Sequence, residues 1–143
     1  MTENATVYTR RLNQAEIKAV IQGLPELLQQ IDADCVLSIE YGCGCNIHDD
    51  LQYKPMAVGI AWLDKFIADS TEQCIYESGK SDLSLATPNG GVTILLCHEG
   101  DIHIEGNDLA QIELVTKSDL LREYLKQDCE PAPPAGRGEA PRP

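Results

Sequence analysis

Apolar residues recur along this chain with two different periods. From Leu12 they fall at Ile17, Val20, Ile21, Leu24, Leu27, Leu28 and Ile31, the three-to-four spacing of one helix face. Asn13 stands where an N-cap belongs, and Glu16 three residues on completes a variant of the capping box. Gly23-Leu24-Pro25 interrupts this segment. A proline inside a helix removes a backbone donor and crowds the preceding turn, so the pattern predicts a kink or break near Gly23 and a short continuation to Ile31.

Residues 35–41 switch to a period of two. Cys35, Leu37, Ile39 and Tyr41 share one face of a predicted strand, and Val36, Ser38 and Glu40 the other. A glycine-rich loop from Gly42 to Asn46 leads on through His48, Asp49 and Asp50 to Pro55. Residues 56–69 satisfy both periods: Ile60, Leu63 and Ile67 are spaced for a helix, while Val58, Ile60 and Trp62 alternate. Length favours the helix, with Trp62 and Phe66 on adjacent turns facing the core. Short alternating runs follow at residues 74–77, 82–87, 91–97 and 102–105, with a further one at 112–115. Pro88-Asn89-Gly90 and Glu99-Gly100-Asp101 supply turns between them, which predicts an antiparallel meander. Thr116 or Ser118 then caps a final helix carrying Leu120, Leu121, Tyr124 and Leu125.

The expected fold class is α+β: an N-terminal helix, a mostly antiparallel sheet of hairpins, and a second and a C-terminal helix packed on it. Residues 1–11 are polar and read as a flexible N-terminus, and 12–128 as one domain. Residues 129–143, with Pro131, Pro133, Pro134, Pro141 and Pro143, read as an extended disordered tail.

Charge narrows the function classes. The chain carries net −12. Nine acids from Asp69 to Glu113 face only Lys80 between Phe66 and Thr116, so this stretch holds −8 of the total. Direct nucleic-acid binding is disfavoured by that sign, and no apolar run reaches the roughly 18 residues of a membrane span. Nor does the N-terminus resemble a secretory signal. The six cysteines, Cys35, Cys43, Cys45, Cys74, Cys97 and Cys129, are accordingly read as reduced thiols in a cytoplasmic protein.

Three site hypotheses follow. The first is an acidic partner-binding surface made by Glu77, Asp82, Glu99, Asp101, Glu105 and Asp108. It would cover a basic protein surface, that of a toxin, nuclease or effector, as immunity-type inhibitors or secretion chaperones of this size and charge do. No enzymatic role and no cofactor are expected on this reading, and homodimerisation is left open. The alternative is a metal- or thiol-dependent protein using the loop Cys43-Gly44-Cys45-Asn46-Ile47-His48, where two thiols and an imidazole within six residues could hold zinc or iron or serve thiol exchange. Cys74, or Cys97 and His98, would complete the metal's ligand set. The rival to metal binding is a tight loop whose glycines adopt positive φ. The third hypothesis is catalysis at Cys97 with His98 or His103 as base. It is disfavoured by strand alternation, which points neighbouring side chains to opposite faces. The same alternation sets His103 opposite Ile102 and Ile104, beside Asp101 and Glu105.

Overall fold

The computed structural model describes residues 5–126; the proposed tail at 129–143, Cys129 and residues 1–4 lie outside them. Among the described residues, three helices accompany one six-stranded antiparallel sheet, as the α+β reading expects. The strands are β1 (Ala5–Tyr8), β2 (Val36–Tyr41), β3 (Met56–Gly59), β4 (Leu83–Ala86), β5 (Thr93–Leu96) and β6 (Ile102–Gly106). Their order across the sheet is β1-β6-β5-β4-β2-β3. The helices are α1 (Gln14–Gln29), α2 (Leu63–Glu72) and α3 (Leu109–Thr116).

The alternation read in the sequence sorts the two sheet faces. Leu37, Ile39 and Tyr41 of β2, Leu83 and Leu85 of β4, Ile94 and Leu96 of β5, and Ile102 and Ile104 of β6 are buried in one core with Val20, Leu24 and Leu28 of α1, Leu63 of α2 and Val115 of α3. Removing that many large aliphatic side chains from water dominates the stability of the fold. Asn13 caps α1 as expected, its side chain accepting the Glu16 N–H while the Glu16 side chain accepts the Asn13 N–H.

Several expectations are corrected. Helix α1 runs unbroken through Gly23 and Pro25 to Gln29. Leu24, Leu27 and Leu28 are buried there, and this packing outweighs the backbone bond that proline forfeits. Gly23 also admits Leu120, whose Cδ1 would lie 2.7 Å from any added Cβ. Residues 56–69 contain both elements that their pattern suggested. Strand β3 pairs with β2, and α2 begins only at Leu63, after a single turn at Ile60–Trp62. Trp62 is not core: it is 64% exposed. Residues 74–77 are irregular, held outside the sheet by the Ile75 carbonyl accepting Asn46 N–H and by the buried Tyr76 ring. Residues 112–115 belong to α3, capped by the Asp108 carboxylate, which accepts the N–H groups of Ala110 and Gln111. At 118–125 the expected helix is reduced to a single 3-10 turn, Arg122–Tyr124. Leu121 is fully buried after a turn, and Leu125 bridges to Thr9.

The segment expected to fray is the largest correction. Residues 5–8 form β1, an edge strand paired in register with β6. Thr9, with no exposed surface, then ties three parts of the chain together. Its N–H donates to the Ile102 carbonyl, its hydroxyl accepts the Ile102 N–H at 2.9 Å and donates to the Arg10 carbonyl, and it bridges to Leu125. Arg10 and Leu12 continue the docking by donating to the carbonyls of Tyr124 and Gly100.

Replacing Thr9 by valine keeps the shape but orphans the buried Ile102 N–H. We expect a loss of about 1–3 kcal/mol in stability by denaturant unfolding, with Thr9→Ser recovering most of it.

Candidate functional site

Two surfaces emerge from this topology. The first is the sheet face turned away from the helices. Register aligns two rows of side chains across it. One runs Tyr8, His103, Leu95, Ser84, Glu40; the other runs Thr6, Glu105, Thr93, Ala86, Ser38, Ala57. Val36, 52% exposed, stands beside the second row. The centre of this face is made of small and hydroxyl side chains around Leu95, and its strand residues include two glutamates and no lysine or arginine. Tyr8 is 39% exposed and meets His103 edge to face at 4.8 Å.

The second is the connection between β5 and β6, at one end of the sheet. Asp82, immediately before β4, anchors it: Oδ1 accepts the backbone N–H of His98 at 2.6 Å and lies 2.9 Å from His98 Nδ1. Gly100, at φ +92°, lets the chain reverse, a conformation costly for other residues. Asp101 then meets His103, Oδ2 to Nε2 at 2.9 Å. Between these two pairs sits the Cys97 thiol, only 8% exposed, with Sγ 3.9 Å from His98 Nδ1. Donor atoms of Asp82, Cys97 and His98 lie within 4.8 Å of one another, and so do those of Cys97, Asp101 and His103. Asp101 Oδ1 is buried without an aligned hydrogen-bond donor among the described residues. Strand alternation fails to separate Cys97 from His98 because β5 ends at Leu96, so both belong to the turn.

The electrostatics follow from these contacts. The Asp82 carboxylate, by hydrogen bond and charge, holds His98 above its ordinary 6.5. Burial works to raise Asp101, but the Cys97 thiol and His103 outweigh it and its carboxyl stays below the usual range. Burial, reinforced by the Asp101 carboxylate, pushes the Cys97 thiol up to about 11. That is opposite to the depressed value of an activated nucleophile.

The acids proposed from sequence take up different contacts. Glu105 lies on the open face, and Glu99 is exposed in the β5–β6 turn. Asp82 and Asp101 hold the two histidines, Asp108 caps α3, and Glu77 pairs with Lys80 on an exposed turn. The thiol loop is arranged differently from the expected ligand set. Cys43 and His48 are exposed, while Cys45 is buried and donates to the Asp82 carbonyl at 3.2 Å. Cys43, Cys45 and His48 do not gather their donor atoms as the two trios do. Gly44 adopts φ +85°, and a Cβ there would sit 2.3 Å from the Lys80 carbonyl, so its glycine serves a tight turn against residues 80–82. The trios were legible only in part: Cys97-His98-Glu99-Gly100-Asp101-Ile102-His103 carries four of the five donors, but Asp82 joins through the β4–β5 pairing.

Comparisons with protein-family models, with curated proteins and with solved structures found no match. Among the described residues no helix is long and apolar enough to cross a membrane.

Two measurements check this geometry. With a chelator present, His98 should titrate above 6.5 by NMR, and Asp82→Asn should return it toward that value. Because the charged imidazole is favoured in the folded state, its stabilisation is complete below pH 6.5 and fades as pH rises through the elevated pKa. Alkylation under mildly alkaline conditions should label the exposed Cys43 and Cys74 ahead of Cys97, read by peptide mass spectrometry.

Proposed function

We propose that this protein is a binding module that seats the open face of its sheet on a basic surface of another protein and acts by occlusion. The observation that carries the reading is the composition of that face. Two cross-sheet rows present serine, threonine and alanine around Leu95, with His103 beside it, Tyr8 and Val36 toward the margins, and Glu40 and Glu105 but no lysine or arginine on the strands. Short side chains let a partner's backbone approach closely, and apolar residues at the centre supply most of the affinity. Carboxylates around them steer a lysine- and arginine-rich surface into place. The chain's net −12 extends that steering beyond contact distance. This is the behaviour of an immunity-type inhibitor or a secretion chaperone, with a toxin, nuclease or effector as the covered protein and the cytoplasm as the place of action.

On this reading the acids that matter are those whose carboxylates are not engaged in internal contacts. Glu40 takes the role first given to Asp82, Asp101 and Asp108, whose carboxylates serve internal contacts.

Affinity capture from the host with the wild-type chain should retain a protein of pI above about 9. Leu95→Arg should weaken that complex by at least about tenfold. Glu40→Gln with Glu105→Gln should slow association several-fold and flatten its dependence on salt. A partner bound equally well by Leu95→Arg, an acidic partner, or occupation of the face by a second copy in sedimentation would each overturn the reading.

A further inference from the structure

We propose that Cys97, Asp101 and His103 form a binding site for one divalent transition-metal ion of the zinc type, with a fourth position left to solvent or a ligand. The proposal is independent of the docking reading and rests on how the β5–β6 connection presents its donors. Sγ of Cys97, a carboxylate oxygen of Asp101 and a ring nitrogen of His103 lie within 4.8 Å of one another. Tetrahedral zinc, with bonds of about 2.0–2.3 Å, holds its ligand atoms roughly 3.5 Å apart, so side-chain shifts of about an ångström close the site.

A second observation concerns the Asp101 carboxylate itself. Asp101 Oδ1 is buried and meets no well-aligned hydrogen-bond donor, while the Cys97 thiol and His103 both favour the charged carboxylate. An orphaned buried acceptor is costly, and a cation beside it removes the cost. Of the two trios that share Cys97, this one has the less exposed imidazole, His103 being half-buried where His98 is exposed. Charge agrees: a thiolate and a carboxylate carry −2, which a divalent ion neutralises, as a partly buried site requires.

The donor set selects the metal. A thiolate with an imidazole excludes calcium and magnesium and suits zinc or cobalt(II). On binding, the Cys97 thiol releases its proton to solvent. His103 must present an unprotonated nitrogen, so any proton on that atom, such as one directed at Asp101, also leaves. Asp82 and His98 stand beside the site, where their own pair holds the turn that carries Cys97.

Cobalt(II) titration of the full chain, followed by absorption, tests this directly. We expect one equivalent to bind and give a thiolate-to-cobalt charge-transfer band that excess zinc abolishes. Cys97→Ser should eliminate the band. His103→Ala should weaken binding by at least about tenfold, while His98→Ala stays within about threefold of wild type. Circular dichroism verifies that each variant is folded, and His103→Ala, at a half-buried position, keeps the test decisive if Cys97→Ser fails to fold. The proposal is overturned if the wild-type chain gives no charge-transfer band. It is equally overturned if the band disappears in Cys43→Ser or Cys45→Ser, or if it survives His103→Ala but not His98→Ala.

Discussion

Strict alternation along β5 and β6 is the constraint on which the rest depends. Ile94, Leu96, Ile102 and Ile104 are pressed into the helix-covered core, where each large aliphatic side chain contributes on the order of 1.5–3 kcal/mol by leaving water. A slip of one residue would expose all four. With those positions held inward, Thr93, Leu95, His103 and Glu105 have only the opposite face available. The short turn between the strands must then bring Cys97, His98 and Asp101 together at the sheet's end. Core packing, by choosing the inward residues, thereby chooses the outward ones and the contents of the turn.

The same constraint explains what could be read without coordinates. Where one face is buried and the other open, as in β2, β4, β5 and β6, the period of two is clean and the strands are legible. Helix α1 is legible because its capping box and its apolar stripe agree. Residues 109–116 mislead because Leu109, Ala110, Ile112, Leu114 and Val115 leave little polar face to mark a period, so the decisive signal is Asp108 as a cap. Residues 5–8 mislead for another reason. Their partner lies about a hundred residues away, and a short edge strand supplies little local propensity of its own. The candidate site divides the same way: the run 97–103 is visible in the chain, but Asp82 enters only through strand pairing.

The acidic composition takes on a different meaning once the contacts are known. Part of it is architecture: Glu16 and Asp108 satisfy helix starts, Asp82 fixes a turn, and Asp101 holds an imidazole. A carboxylate that accepts backbone N–H groups does structural work whatever the sign of the surface around it. Asp82 is the sharpest instance. Its backbone carbonyl receives the Cys45 thiol and the Gly42 N–H, while its side chain receives His98. One residue thus couples the glycine-rich loop to the β5–β6 turn. The acids free of such internal contacts are therefore fewer than the net charge of −12 suggests.

The meeting of Thr9 with Leu125, and the bond from the Lys126 N–H to the Tyr8 carbonyl, carries an architectural consequence. Among the described residues, the first strand and the last residues therefore lie side by side, on the outer edge of β1. A domain whose entry and exit coincide can be spliced into a surface loop of a host protein, or permuted so that a new opening lies elsewhere, with only a short joining segment. Such a unit is a cassette: it can be carried by other chains without the distance between its ends being stretched.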